Sequence, residues 1–194
     1  MVQIDNVKIY DLKESVIACR NAMRITPPEY TDEEFEASLP RAIKLANTPQ
    51  GSAHGNFLCG IRVAFDIKYP AYFSTELQRY HFNDIVCSSS KMHRLVKMDM
   101  DACFNEYVTN KSKEQMKELI GMYNVNPTYE NFMFVLSNCP LGIELFMRCT
   151  TNYLQLKTIY HQRKNHKLKD DWVEGFCEDF IEKLPYFDVF IKNN

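Results

Sequence analysis

Glycine is scarce, six in 194 residues, and tryptophan occurs once. So few flexible points exclude a Gly-rich linker or a glycine-punctuated repeat, and predict one continuous domain over residues 1–194. Neither charge is in strong excess: 23 Lys+Arg stand against 25 Asp+Glu, a net charge of -2. A chain without a positive field is not expected to bind nucleic acid or anionic lipid. No apolar run approaches the roughly 20 residues that cross a bilayer, and residues 1–24 mix charge with hydrophobes where a signal peptide would be apolar. The expectation is a soluble, cytoplasmic chain with no membrane partner.

The seven cysteines include no pair closer than ten residues, which excludes a CxxC clamp and argues against a secreted disulfide framework. They are expected to be buried free thiols. His161 and His166 lack the companions of a tetrahedral ligand set, so no metal is expected.

Apolar periodicity gives an α+β chain dominated by helix, with a small sheet. A strand over residues 2–10 is followed by a helix carrying Val16, Ile17 and Cys19, closed by Pro27 and Pro28. Thr31 and Glu34 stand at capping-box spacing and open a helix that runs past Pro40 to Thr48-Pro49. Phe57, Cys59, Ile61, Val63, Phe65 and Ile67 alternate with smaller or polar residues, predicting a strand that ends before Pro70. Helices are predicted from Ala71 past Tyr80, then over 91–108, 112–123, 128–136, 143–164 and 171–183.

Chemistry concentrates between Arg79 and Arg94. Arg79 can fork onto phosphate oxygens, Ser88, Ser89 and Ser90 can donate hydroxyls, and Lys91 can add a point charge. If the segment is helical, His81 and Asp84 fall about one turn apart and can form an acid–base pair. The plain alternative is a solvated helix and a Ser-rich turn.

The same segment resembles the signature of the flavin-dependent thymidylate synthases, Arg-His-Arg-x-x-Ser-x-Asn-x-x-Ser-x-Arg. This chain carries Arg79, Tyr80, His81, Asp84, Val86, Ser89 and Lys91 at those places. As in that family, a histidine, His54, lies 25 residues before Arg79, with an alternating strand between them. Asn152 and Arg163 keep a helix spacing of eleven, Pro140 precedes Asn152 by twelve, and Pro185 opens a closing segment similar to the family's. Ala22-Met-Arg24 is similar to an early Ala-Arg stretch. The departures are Tyr80, His81, Asp84 and Val86 within the signature, and Leu136 and Leu154 where the family has arginines.

The resemblance implies a homotetramer of flavin-dependent thymidylate synthase fold that binds a pyrimidine nucleotide such as dUMP. FAD and methylenetetrahydrofolate would be its cofactors. Arg79, Ser88, Ser89, Ser90, Lys91 and Arg163 would hold the nucleotide, and His54, Asn56, His81 and Asn152 would line the flavin. His81, Asp84 and Ser89 are the candidate catalytic groups. Two alternatives remain at this point: a nucleotide-binding or interaction protein that has lost the flavin, and an enzyme acting on another nucleotide through His81 and Asp84.

Overall fold

The computed structural model describes residues 1–49 and 51–193. The chain begins with strand β1 (Gln3–Tyr10), helix α1 (Leu12–Ala18) and helix α2 (Asp32–Ala46). Thr31 caps α2 as the sequence predicts, its hydroxyl accepting from the Glu34 amide at 3.2 Å. The reciprocal half of the capping box is absent, because the Glu34 carboxylate turns to the guanidinium groups of Arg24 and Arg20. Pro40 sits inside α2 at an exposed position.

The expected strand over 57–68 starts later. Residues 54–59 form a tight 3₁₀ turn, in which Leu58 is fully buried and Phe57 meets Phe190 edge-on at 5.6 Å. Gly60 ends that turn where a Cβ would come within 2.2 Å of the Ser15 hydroxyl, so any side chain there would have to displace Ser15. β2 then runs from Arg62 to Pro70, with Val63, Phe65, Ile67 and Tyr69 buried and Asp66 and Lys68 toward the open face. The period-two pattern is therefore genuine from residue 62 onward.

Three predicted helices are corrected. Helix α3 (Ala71–Leu77) stops before Tyr80, and Asp84–Ser88 forms a strand, β3. The stretch 91–108 keeps only the short α4 (Lys91–Arg94) and one 3₁₀ turn. Beyond it the Asp99 side chain accepts from the Asp101 amide at 2.9 Å, an Asx turn that competes with helical bonding. After α5 (Asn110–Val125) and α6 (Tyr129–Ser137), capped by Thr109 and Thr128, the expected long helix over 143–164 is strand β4 (Glu144–Asn152) followed by α7 (Tyr153–Arg163). In β4, Leu145, Met147, Cys149 and Thr151 are buried at alternate positions, a strand periodicity that the following helix masks.

The sheet has the order β1-β2-β4-β3, every neighbour antiparallel. β2 and β4 are central and pair without interruption from Arg62↔Asn152 to Pro70↔Glu144. β1 and β3 are edges, each with a register shift. One sheet face carries an aromatic core: Phe65 meets Phe180 at 4.7 Å, Phe73 meets Trp172 at 4.2 Å, and Trp172 meets Phe176 at 5.2 Å. Of the expected buried thiols, Cys149 and Cys177 are buried, whereas Cys59 and Cys87 are exposed; all seven are free. A short last helix, α8 (Phe187–Phe190), closes the described chain.

Trp172 and Phe176 come from residues 169–178, where the predicted amphipathic helix is wound as a wide π-helix with an Asp179-to-Glu174 backbone bond of 2.8 Å. At Gly175 a Cβ would lie 2.6 Å from the Val2 carbonyl, so glycine lets the start of β1 cross this segment. Asp171 secures the crossing. It is 4% exposed and accepts from the Val2 amide at 3.0 Å and from the Tyr72 hydroxyl at 2.8 Å. Replacing Asp171 with Asn will lower the unfolding free energy by about 2–3 kcal/mol, because bonds to a buried charge are each worth roughly 1.5–3 kcal/mol. Denaturant titration measures this as a lower midpoint at unchanged m-value; a wild-type midpoint would refute the clamp.

Candidate functional site

The segment 78–83 leaves α3 as a non-helical turn and is pinned from both sides. The Phe82 amide donates to Gln155 Oε1 at 3.2 Å, and the Phe82 carbonyl accepts from the Thr151 hydroxyl at 2.8 Å. Tyr80 folds inward, 8% exposed; its hydroxyl donates to Gln162 Oε1 at 3.1 Å and accepts from Arg163 Nε at 2.7 Å. Burial pushes the Tyr80 phenol up, against the pull of Arg163, which keeps the hydroxyl protonated and able to donate. With Tyr80 inward, Arg79 and His81 remain exposed and line a cleft of about 280 Å³ with Gln155, Thr158, Gln162 and Arg163.

Three residues the sequence nominates thus share one cleft, but their electrostatic states differ. Arg163 donates from Nη1 to Glu76 Oε2 at 2.9 Å and lies 4.7 Å from the Trp172 ring centre. The same Glu76 oxygen accepts from Trp172 Nε1 at 2.7 Å and lies 3.5 Å from His166 Nε2. The Arg163 charge is therefore already matched, and its first role is to join α7 to α3. Arg79 forms no ion pair among the described residues, leaving the cleft one uncompensated guanidinium.

The serines lie elsewhere. Ser89 prolongs the β3–β4 ladder, its amide donating to the Phe146 carbonyl at 2.8 Å and its hydroxyl accepting from the Phe146 amide at 3.1 Å. Ser88 and Ser89 line a wider hollow of about 790 Å³ on the open face of the sheet, with Arg94, Arg148, Lys68, Asp5 and Asp66. Ser90 bonds His93 Nδ1 at 2.9 Å, and Lys91 opens α4. The nominated nucleotide residues therefore fall on two separate surfaces of one chain.

The His81–Asp84 acid–base pair is not formed. Its premise was a helix, and residues 81–84 pass from a turn into β3. Asp84 approaches Arg62 at 3.8 Å, while the His81 ring lies edge-on to Phe82 at 4.9 Å.

The cofactor group is also divided. Asn152 is 3% exposed and caps α7, its Oδ1 accepting from the Gln155 amide at 2.9 Å, so it is a structural residue in this chain. His54 is exposed at the start of the 3₁₀ turn. Asn56 lines a third hollow, about 370 Å³, between the segment 46–58 and α7. Thr158 borders both this hollow and the Arg79 cleft, so Asn56 and His81 flank one helix from its two sides. Lys157, also in the wall, was invisible to sequence reasoning, because a lysine on a helix reads as solvated. Gln155, Thr158 and Gln162 were more legible, since their spacing of three and then four places them on one helix face. Among the described residues no group of three His, Cys, Asp or Glu is placed to hold a metal, and no helix is long and apolar enough to cross a membrane.

No protein-family model matches the chain, and no curated protein matches it in sequence. Solved structures do. The structure of flavin-dependent thymidylate synthase ThyX from Helicobacter pylori complexed with FAD and dUMP aligns at a TM-score of 0.71 and 16% identity, covering 97% of both chains. A second H. pylori ThyX structure with FAD and dUMP aligns at 0.70 and 14% identity, over 99% of this chain and 97% of that one. The UMP/dUMP methylase PolB from Streptomyces cacaoi, bound with 5-Br dUMP, aligns at 0.54 and 11% identity, over 86% and 79%. The chain has the fold of the flavin-dependent thymidylate synthases, as the sequence resemblance implied, in a diverged form.

The Glu76 junction can be tested through the single tryptophan. Replacing Glu76 with Leu removes the acceptor of Trp172 Nε1 and leaves Arg163 unpaired, and will lower the unfolding free energy by about 3 kcal/mol or more. Trp172 fluorescence will change in the folded variant; an unchanged emission spectrum would contradict the bond.

Proposed function

We propose that the chain binds a pyrimidine nucleotide of the dUMP class in the Arg79 cleft and methylates it with the aid of a flavin and methylenetetrahydrofolate. One observation supports the reading: the turn 78–83 buries Tyr80 and presents Arg79 and His81 beside α7 with no carboxylate opposing Arg79 among the described residues. The fold shared with dUMP-bound proteins across nearly the whole chain supports it. Arg79 supplies the charge for a phosphate, and the Nε2 groups of Gln155 and Gln162, whose Oε1 atoms already accept from Phe82 and Tyr80, offer donors to a pyrimidine ring or a ribose.

A flat, partly polar cofactor is compatible with the neighbouring hollow, whose walls combine Leu58 and Leu154 with Asn56, Ser52 and Thr158. Asn56 would meet a flavin there; His54 lies beside it at the start of the 3₁₀ turn, His81 lines the Arg79 cleft on the other side of Thr158, and Asn152 is not free to take part. Bound flavin would supply redox chemistry and the folate a one-carbon unit, while this chain's residues place the nucleotide and exclude water. The split of Arg79 from Ser88, Ser89 and Lys91 is what a site shared between subunits would produce, and a homotetramer is part of this proposal.

A second reading keeps the nucleotide and omits the flavin. It is favoured by the commitment of Asn152 to capping and of Arg163 to Glu76. Purified protein mixed with FAD and freed of excess cofactor separates the two. Retained flavin whose absorption shifts on adding dUMP supports the methylation reading, and dUMP binding without retained flavin supports the second. Replacing Arg79 with Ala is expected to weaken dUMP binding by about tenfold or more, the worth of one charge-assisted contact. Calorimetric affinities equal for wild type and variant would remove the phosphate from this cleft.

A further inference from the structure

Two adjacent prolines and a tyrosine stand together at Pro27-Pro28-Glu29-Tyr30, in the segment that joins the short turn at residues 21–23 to α2. The segment is extended for local reasons. Each proline ring fixes its own φ at about −65° and keeps the residue before it, Thr26 or Pro27, out of helical conformation. The flanking Arg24 and Thr31 are extended too, with ψ of 150° and 168°. No amide or carbonyl of residues 25–30 makes a backbone hydrogen bond among the described residues. An extended, unbonded proline pair starts a polyproline II helix, whose three residues per turn put positions i and i+3 on one edge, about 9 Å apart. Pro27 and Tyr30 are such a pair, and both are exposed, while Pro28 is half-buried. The segment is also held at its ends: Arg24 pairs with Glu34 in the first turn of α2, Arg20 reaches the same carboxylate at 3.3 Å, and Thr31 caps the helix. A segment ordered in advance loses less entropy on docking. Glu29, Glu33 and Glu36 are exposed around it and form no ion pair among the described residues.

We propose that residues 27–30 are a docking motif for a partner protein, read by a groove of aromatic rings with a basic rim, the kind of groove a WW domain presents. Proline rings pack flat against aromatic faces, a preformed polyproline II segment pays little for being ordered, and the tyrosine one turn on supplies a second anchor on the same edge. The acids beside the motif match a basic rim, and long-range attraction of that kind speeds encounter. The Pro-x-x-Pro spacing that an SH3 domain reads is missing from the segment, so proline content alone does not define the partner. The proposal is independent of the nucleotide reading, because none of these residues lines the Arg79 cleft. The competing occupant is a second copy of the chain, which would cover Tyr30 in an assembly and have no use for the proline spacing.

The full chain is titrated by calorimetry with an isolated WW domain selective for Pro-Pro-x-Tyr and, separately, with an SH3 domain. The WW domain is expected to bind saturably, one per chain, and the SH3 domain not at all. Tyr30→Ala, and the double change Pro27→Ala with Pro28→Ala, will each weaken WW binding by about tenfold or more, whereas Tyr129→Ala, at another exposed tyrosine, will leave it unchanged. Added salt will weaken binding through the acidic flank. No WW binding, equal binding of the SH3 domain, or binding that survives in a folded Tyr30→Ala would each overturn the proposal. If the variants fail to fold, displacement of the WW domain from the wild-type chain by a free peptide carrying Pro-Pro-Glu-Tyr decides, and failure to displace it is equally fatal. A chain that ignores the WW domain but drops in light-scattering mass on Tyr30→Ala would assign the segment to a contact between copies and overturn the partner.

Discussion

The uninterrupted pairing of β2 with β4 is the constraint from which the rest of the molecule follows. Each strand runs directly into a helix: Pro70 gives way to Ala71 of α3, and Asn152 to Tyr153 of α7. Because the strands are antiparallel, the helices leave from opposite ends of the pair and fold back toward each other. They meet at Glu76 and Arg163. The turn that follows α3 is thereby laid along α7, and the Arg79 cleft lies at that junction. The placement of the candidate site is thus a consequence of strand register, held by a few polar bonds and not by a dedicated loop scaffold.

The same junction gives some charged groups structural work and leaves others available. Arg163, Tyr80 and Trp172 converge on Glu76 and Gln162 in a network in which most polar groups find partners. Asn152 spends its carbonyl on the first turn of α7. Such residues cannot be withdrawn toward a ligand without exposing the bonds they leave behind. Arg79 and Lys157 are different: neither has an anionic partner among the described residues, and they stand on opposite sides of Thr158.

Much of the architecture was legible in the sequence, for identifiable reasons. β2 could be read because Val63, Phe65 and Ile67 are buried on one face while Asp66 and Lys68 reach toward solvent on the other, although Ala64 on that second face is buried too. The cap at Thr31 could be read because capping depends on local spacing alone. β3 could not, since all five of its residues are exposed and no hydrophobic period marks it. β4 carried its period-two signal through Leu145, Met147, Cys149 and Thr151, but it merges into α7 with no breaker between them. The spacing of Asn152 and Arg163 pointed to the right helix but not to the bonds the two side chains make, because spacing says where a side chain stands and not which partner it has already found.

The crossing of β1 over the π-helical segment has a consequence for how the molecule is made. The bond from the Val2 amide to Asp171 spans 169 residues, and the backbone passes over Gly175 with no space to spare. During synthesis the first strand emerges long before the surface that receives it. Until residues 169–178 leave the ribosome, β1 can pair with β2 while Val2 has nothing to dock against, and the aromatic core lacks Trp172 and Phe176. Contacts of such sequence separation form late and slowly. Until residues 169–178 are made, the apolar face of the sheet lacks the side chains that cover it, an interval in which a chaperone or a second copy of the chain would compete with that segment for the face.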